Sequence, residues 1–233
     1  MEPTLGGGGC IPGDLAFLRA LRCGADEAGA LLIFDEVMTS RMSSGGQQKR
    51  IGVTPDLTTL GKYIGGGLSF GAFGGRADIM ERYDPRRADA PPHVCTFNNN
   101  VLTMAAGVAG LTRLFTPAAA DALFARGEAL RSRLNQLSDG FAMRWSGLGS
   151  LMTVHFQAND PSCAADIVSD PRIKELFFFE MLRRGFYLAR RGMVALSLEI
   201  GGRECDTCCA AVGDVIACHQ SSLSQIGDEL SRT

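Results

Sequence analysis

Apolar and polar positions in the first third of the chain follow a pattern typical of helices packed on a sheet. Leucines recur at helical spacing over residues 14–23, which predicts a short amphipathic helix that ends at Gly24. The continuous apolar run 31–34 follows a glycine and precedes two acids, which predicts a strand buried on both faces of a parallel sheet. Residues 72–75 predict another short strand. Helix, turn and buried strand in this order indicate an α/β fold.

From about Thr116 onward the pattern changes. The alanine-rich segment 100–115 predicts a helix capped by the preceding asparagines, and Thr116 with Pro117 predicts the start of the next helix. Further strands are predicted at 150–156, 186–189 and 194–198, and further helices at 170–185 and 205–223. This mixture indicates a smaller α+β domain over residues 116–233, which follows an α/β portion over residues 1–115.

Composition and charge narrow the class of protein. The 233 residues are 45% hydrophobic and 21% charged, and the net charge of -2 provides no basic surface for nucleic acid. The apolar stretch 101–111 is too short to cross a bilayer, and the first residues lack the features of a signal peptide. We therefore expect a cytoplasmic protein without nucleic-acid or membrane partners.

Eight cysteines are spread along the chain, too few for a disulfide scaffold, and we interpret them as reduced thiols. Cys205 and Cys208 form a C-x-x-C pair, which can bind zinc when a second ligand pair stands at matching spacing. Only Cys218 and His219 are nearby in the sequence. Cysteines packed in a helical core are the favoured interpretation, and no metal site is predicted.

The first group that could carry chemistry is Asp35-Glu36-Val37, directly after the predicted strand 31–34. Ligands of open α/β sheets bind at the carboxyl ends of strands, so a carboxylate at this place can meet a cofactor. By itself, the triplet fits a helix cap or a surface turn better.

Lys62 is the second candidate, because it precedes the glycines at 65–67 in an otherwise apolar context. A phosphate-binding P-loop would need glycine at position 56 and a hydroxyl at position 63, where Asp56 and Tyr63 stand. A lysine in a dry pocket can instead attack a carbonyl and form a Schiff base. Taken alone, a solvated loop lysine is the simpler interpretation.

The acid and the lysine together match what pyridoxal phosphate requires. The acid can pair with the pyridinium nitrogen, and the lysine can hold the aldehyde and later move the substrate proton. Thr96 adds a hydroxyl in the segment 96–100, at a predicted helix start where anions can bind. A run of helix-capping residues is the alternative for this segment.

These motifs resemble the class III pyridoxal-phosphate-dependent aminotransferases of fold type I, and most of all the glutamate-1-semialdehyde 2,1-aminomutases. The resemblance is carried by residues 32–39, 52–67, 71–76 and 96–100, and it extends more weakly to about Leu198. It implies that residues 1–115 are the C-terminal portion of the cofactor-binding large domain, with a mostly parallel sheet and helices. Residues 116–233 would be the α+β C-terminal domain.

Residue by residue, the resemblance implies roles for four side chains. Asp35 would pair with the pyridine nitrogen, and Val37 would lie against one face of the ring. Lys62 would be the catalytic lysine that forms the Schiff base. Thr96 would contact the cofactor phosphate of the neighbouring subunit, because the family's homodimer builds each site from both chains.

The family's N-terminal part is missing from this sequence, and with it the phosphate cup, the aromatic residue stacked on the ring and much of the substrate pocket. Two functions therefore stay open. The chain is a transaminase or aminomutase that acts on an amino acid or amino aldehyde, with the pyridoxamine form of the cofactor in the aminomutase case. Alternatively, it is a truncated, non-catalytic or complementing fragment that associates with a missing N-terminal half through exposed sheet surfaces.

Arg190 and Arg191 follow the predicted strand 186–189 and support one further hypothesis. A carboxylate-binding arginine would be useful at this position of the C-terminal domain. A solvated basic turn is the favoured alternative.

Overall fold

The computed structural model describes residues 1–94, 96, 98–168, 170–220 and 223. In chain order, its main elements are β1 (Thr4–Leu5), β2 (Ile11–Pro12), α1 (Leu15–Ala28), β3 (Ile33–Asp35), α2 (Gly46–Ile51), β4 (Leu57–Gly61), β5 (Gly71–Gly75), α3 (Ala77–Met80), α4 (Val101–Ala109), α5 (Pro117–Leu137), β6 (Arg144–Leu148), β7 (Leu151–His155), α6 (Pro171–Arg183), β8 (Met193–Ala195) and α7 (Gly202–Cys218). Short 3-10 helices cover Thr39–Met42, Lys62–Gly65, Glu81–Tyr83 and Ala164–Asp166, and α4 continues as a π-helical turn over Gly110–Leu114.

The chain forms two compact units, which are described separately. The first contains Met1–Pro3 and Gly13–Ala120, and the second contains Thr4–Pro12 and the described residues from Asp121 on. The β1–β2 hairpin therefore belongs to the second unit although it stands near the start of the sequence. The predicted domain boundary between residues 115 and 116 stays a prediction.

Helix α1 begins where the sequence predicts and ends later. The Asp14 side chain accepts a hydrogen bond from the backbone N–H of Phe17 at 2.8 Å, which caps the first turn. The predicted end at Gly24 is wrong, because the helix continues to Ala28 and stops at Gly29, whose φ of 62° is left-handed. The added turn places Ala25 against the buried cluster beneath the helix.

The sheet of the first unit has the strand order β3-β4-β5. Strands β3 and β4 are parallel, with Asp35 opposite Thr59, whereas β4 and β5 are antiparallel. The predicted strand at 72–75 is confirmed as β5. The parallel pair is the part that matters for the site, because its two strands end at the same edge of the sheet.

Burial along β3 differs from the sequence expectation. Leu32 and Phe34 are buried against Leu18 of α1, whereas Leu31 is 50% exposed and Ile33 is 41% exposed. The prediction of a strand buried on both faces is therefore wrong for the described chain. Helix α1 covers one face, and an apolar surface formed by Leu31 and Ile33, here called the bare sheet face, stays open on the other.

Asp56 ties the first unit together from the residue just before β4. Its carboxylate accepts hydrogen bonds from Arg22 of α1 at 2.7 Å and from Arg76, after β5, at 2.8 Å. It also accepts one from the backbone N–H of Leu32, at the start of β3, at 2.7 Å. The bonds from Arg76, Arg22 and Leu32, in that order of weight, hold the pKa of Asp56 well below its usual range.

The second unit is built on the antiparallel sheet β6-β7-β8. Strands β7 and β8 confirm two of the predicted strands, while β6 was not predicted. The segment 186–189 forms no strand, so that prediction is wrong. Its last residue, Ala189, accepts a hydrogen bond from Gly192 and closes a turn instead of extending a ladder.

Helices α5 and α6 begin at the predicted caps. Thr116 accepts a hydrogen bond from the Ala119 N–H at the start of α5, and Asp170 accepts one from the Arg172 N–H at the start of α6. Buried aromatic rings join α6 to the sheet, with Phe177 at 6.0 Å from Trp145 between ring centroids.

A buried serine–histidine pair fastens the β1–β2 hairpin to this sheet. The Ser146 hydroxyl donates to the Gly9 carbonyl at 2.6 Å and lies 2.7 Å from Nε2 of His155. Burial lowers the pKa of His155, which keeps the imidazole neutral and suited to this apolar place. The pair is part of the core and carries no acid partner for catalysis in the described chain.

Helix α7 carries four of the cysteines, and three of them are buried. Cys205, Cys208 and Cys209 lie on its buried face, and burial raises the pKa of Cys208 to about 12. This agrees with the interpretation of helical cysteines packed in a core. Cys95 lies outside the described residues.

No single helix in the described ranges is long and apolar enough to cross a membrane, although the consecutive helices Val101–Leu114 and Pro117–Leu137 meet the length and composition criteria when they are counted together.

We expect Asp56→Asn to lower the free energy of unfolding at pH 7 by about 1–3 kcal/mol, because two guanidinium groups lose their charged acceptor. Folding lowers the pKa of Asp56, so its stabilisation is complete above about pH 4 and is lost as the pH falls toward the folded-state value. Urea unfolding curves should therefore show the difference between wild type and variant shrinking below about pH 4.

Asp26→Asn is the matched control for this measurement. Asp26 also contacts Arg22, at 2.6 Å, but its side chain is 65% exposed. Its loss should change the free energy of unfolding by less than about 1 kcal/mol. Equal destabilisation by the two variants would contradict the special role of Asp56.

Candidate active site

Asp35 and Lys62 are brought to the same edge of the sheet by the parallel pairing of β3 and β4. Asp35 is the last residue of β3, and Lys62 directly follows β4. The register sets Asp35 opposite Thr59, and the Glu36 N–H donates to the Thr59 carbonyl at 3.1 Å. An acid and an amine at the carboxyl edge of parallel strands is the arrangement that the sequence predicted.

The Asp35 carboxylate is held through one of its two oxygens. Oδ1 accepts hydrogen bonds from the backbone N–H of Val37 and from the Thr59 hydroxyl, both at 3.0 Å. Asp35 is half-buried, and no hydrogen bond from the described residues reaches Oδ2. One oxygen is therefore satisfied by the protein, and the other is available to a ligand.

Val37 lies beside the residue that precedes the lysine. A carbon at the Cβ position of Gly61 would lie 3.4 Å from Cγ1 of Val37 and 3.1 Å from the Phe70 carbonyl oxygen. The half-buried Val37 side chain therefore lies beside the last residue of β4. Asp35, Val37 and Lys62 belong to one small region of the sheet edge.

Lys62 has a strained backbone and an exposed side chain. Its φ of 55° is left-handed, a conformation that costs a residue with a side chain about 1–2 kcal/mol. Such strain persists where the surrounding structure imposes it, and it is often found at functional sites. The turn Lys62–Gly65 that follows is packed directly on α4.

Contact between that turn and α4 is made backbone to backbone. A Cβ at Gly66 would lie 2.5 Å from the Ala106 carbonyl carbon, and one at Gly107 would lie 2.5 Å from the Ile64 carbonyl oxygen. At these two glycines no side chain fits between the segments. Helix α4 therefore fixes the position of the turn that follows Lys62.

Glu36 belongs to the sequence motif but has no predicted role, and it is fully buried in the structure. Its carboxylate accepts hydrogen bonds from the backbone N–H groups of Gln47 and Gln48 at 2.6 and 2.9 Å, and from the Thr39 hydroxyl at 3.1 Å. The signal for its burial was available, because Leu32, Phe34 and Glu36 alternate on one face of the strand. Glu36 anchors the chain directly after Asp35 to the start of α2.

Thr96 is not drawn into this group. It is exposed in a turn, and no hydrogen bond joins it to Asp35 or Lys62 in the described part of the chain. Its neighbour Phe97 lies outside the described residues. The alternative function of the asparagine run is confirmed for Asn100, whose side chain caps α4 by accepting from the Leu102 and Thr103 N–H groups.

Arg190 and Arg191 belong to the second unit. Arg190 pairs with Glu175 at 3.3 Å and stacks on Phe178 with its guanidinium carbon 5.2 Å from the ring centroid. Arg191 contacts the Met193 sulfur at 3.0 Å. The carboxylate-binding hypothesis for these arginines stays a prediction.

Comparison with known proteins assigns this arrangement to a family. The profile of the aminotransferase class-III family matches residues 1–198. The chain belongs to the class III aminotransferases. Members of this family depend on pyridoxal phosphate.

Relatives with assigned names include both reaction types. A β-phenylalanine transaminase of Variovorax paradoxus is 53% identical over 226 residues, which are 96% of this chain and 52% of the relative. A glutamate-1-semialdehyde 2,1-aminomutase of Nitratidesulfovibrio vulgaris is 42% identical over 81% of this chain and 45% of the relative. The chain spans about half the length of the curated relatives it matches.

A solved structure extends the similarity to the fold. The crystal structure of a β-phenylalanine aminotransferase from Variovorax paradoxus matches with a TM-score of 0.92 at 53% identity, over 95% of this chain and 52% of that one. The predicted fold class, a partial fold-type I large domain followed by a smaller α+β domain, is thereby confirmed.

The described residues fit the ring portion of pyridoxal phosphate. A carboxylate with one free oxygen, an apolar side chain and a lysine on a constrained turn converge at the sheet edge. These are the groups that would hold the ring nitrogen, one ring face and the aldehyde.

We expect backbone strain at Lys62 to be measurable. Lys62→Gly should raise the free energy of unfolding relative to Lys62→Ala by about 1 kcal/mol, because glycine adopts a left-handed conformation without a steric penalty. Chemical denaturation of the two purified variants checks this order.

Lys49 provides the control, since it lies inside α2. At this helical position the order should reverse, with Lys49→Gly less stable than Lys49→Ala by about 0.5–1 kcal/mol. If glycine were the less stable variant at both positions, the strain at Lys62 would be disproved.

Proposed function

We propose that this chain carries the cofactor-anchoring residues of a pyridoxal-phosphate-dependent transaminase that moves an amino group on an amino acid. The observation that carries the proposal is the placement of Asp35 and Lys62 at one sheet edge, with one Asp35 oxygen already satisfied by Val37 and Thr59. The reaction needs both groups. The pairing of β3 with β4, and not either loop by itself, brings them to the same edge of the sheet.

Each residue has a separate task in this proposal. The free oxygen of Asp35 would accept a hydrogen bond from the protonated nitrogen of the cofactor ring, and the Val37 side chain would lie against one ring face. The Lys62 amine would hold the cofactor covalently, and it is the group that would take up and return the proton of the substrate carbon. When bound, the cofactor supplies an electron sink for the charge that develops on that carbon.

The transaminase is favoured over the aminomutase by the relatives. Identity is higher to the β-phenylalanine transaminase than to the aminomutase, at 53% against 42%. A β-amino acid with an aromatic side chain is therefore the first substrate to test. An aminomutase acting on an amino aldehyde, with the pyridoxamine form of the cofactor, is the second.

A homodimer in the cytoplasm is part of the same proposal. Thr96 is exposed and makes no hydrogen bond to Asp35 or Lys62 in the described residues, which leaves it available to the cofactor phosphate of a neighbouring subunit. Helix α4, which follows it, exposes Val101 at 78% and Val108 at 63%. Apolar residues exposed in this way are typical of a surface that is covered in an assembly.

The direct test is covalent capture of pyridoxal phosphate by the purified chain. We expect a visible absorption band on mixing, and borohydride reduction should fix the cofactor mass on the peptide that contains Lys62. Lys62→Ala should lose both the band and the adduct. Lys49→Ala removes a surface lysine that contacts Ser44 and should behave as wild type. An adduct of equal yield in Lys62→Ala would refute the assignment of the lysine.

The bare sheet face supports a second candidate function, a complementing fragment. Parallel sheets in α/β proteins are covered on both faces, yet Leu31 and Ile33 are exposed beside the site. This chain aligns with about half of the curated relative, so the relative has about as many residues again outside the aligned part. The occupant that we propose is a helix-bearing N-terminal half of a class III aminotransferase.

Co-expression tests this candidate with a defined probe, the N-terminal half of the Variovorax paradoxus β-phenylalanine transaminase. We expect the two polypeptides to co-purify, and Ile33→Asp should reduce recovery at least about tenfold, because a buried carboxylate in an apolar interface is costly. Leu182→Asp is the control, since Leu182 has almost the same exposure, 42% against 41%, and lies in the second unit. Equal loss with both variants, or no co-purification with the wild-type chain, would rule this candidate out.

A further inference from the structure

Thr59 makes one hydrogen bond to Asp35 and one to Glu36, although no role for it follows from the motif. The two residues are register partners across the parallel pair β3–β4, and the Thr59 carbonyl accepts from the N–H of Glu36. The Thr59 hydroxyl donates to Oδ1 of Asp35 at 3.0 Å. The same residue thus fixes the main chain and the side chain at the end of β3.

The Thr59 hydroxyl is the side-chain donor to Asp35 among the described residues, and the other donor is the backbone N–H of Val37. Two donors from different elements that meet at one oxygen hold the Asp35 side chain in one χ1 rotamer, which a single donor does not fix. A β-branched residue is suited to this task, because its own χ1 angle is restricted.

We propose that Thr59 is a positioning residue that locks the Asp35 carboxylate in one rotamer, so that Oδ2 faces the place of the cofactor ring nitrogen. The inference rests on the proposed function for the identity of the ligand, but the locking itself is a property of the chain. Thr59 does not touch the reacting atoms. It acts through Asp35 alone.

Thr58 offers a matched comparison on the same strand. Its hydroxyl accepts a hydrogen bond from the Gln48 side chain at 3.0 Å and lies on the opposite face of β4 from Thr59. Thr58→Val and Thr59→Val therefore make the same chemical change one residue apart, and only the second removes a donor to Asp35. Thr59→Ser restores the hydroxyl without the methyl group.

The first measurement needs no cofactor. Three-bond NMR couplings from the backbone nitrogen and carbonyl carbon to Cγ of Asp35 report its χ1 rotamer in the purified full chain. We expect one rotamer in wild type, Thr59→Ser and Thr58→Val, and averaged couplings in Thr59→Val. Thr59→Ala, a second variant without the donor, gives the same reading if Thr59→Val does not fold.

The second measurement is the dissociation constant for pyridoxal phosphate, taken from the visible band. Thr59→Val should bind about tenfold more weakly than wild type, since a hydrogen bond to a charged group is lost. Thr59→Ser and Thr58→Val should stay within about twofold of wild type. Thermal unfolding of each chain without cofactor separates this effect from a loss of fold.

The outcomes distinguish the positioning role from the function on which it rests. Unchanged Asp35 couplings in Thr59→Val, or equal weakening by Thr58→Val and Thr59→Val, would overturn the role of Thr59. No visible band with the wild-type chain would count against the proposed function instead, and the couplings would still decide whether Thr59 locks Asp35.

Discussion

The carboxylate of Asp56 is the constraint on which the first unit depends. It stands immediately before β4 and binds one donor from α1, one from the start of β3 and one from the residue after β5. Those bonds set how far β4 extends relative to β3. Asp35 and Lys62 lie at the carboxyl ends of these strands. A register that is fixed where the strands begin therefore brings the two residues together where the strands end. A structural ion pair thus determines the geometry of a site that it does not touch.

A second carboxylate works at the other end of the strand. Glu36 is buried and holds the first N–H groups of α2, so the chain after Asp35 cannot turn away from the sheet edge. Functional groups held on strands and braced by buried hydrogen bonds are positioned more accurately than groups on free loops. The neighbouring acids Asp35 and Glu36 therefore differ by one strand position and serve opposite purposes, ligand contact and support.

Sequence reasoning recovered most of the elements and the residue types of the site. Local signals sufficed at Asp14, Asn100 and Asp170, where a side chain meets backbone N–H groups two or three residues away. Prediction from the sequence failed where the interacting residues are distant from each other along the chain. Thr59 reaches Asp35 across a register that no periodicity encodes, and the exposure of Ile33 depends on which layers cover the sheet. At 186–189 an apolar run predicted a strand, but the hydrogen bonds formed a turn.

The packing of the lysine turn on α4 has a mechanical meaning. With Gly66 against Ala106 and Gly107 against Ile64, two stretches of main chain meet without any compressible side chain between them. Interiors packed in this way transmit displacement rather than absorb it. The outer side of the same helix carries exposed Val101 and Val108. A load applied to that outer side therefore reaches the lysine turn across the width of one helix, with little side-chain packing to absorb it.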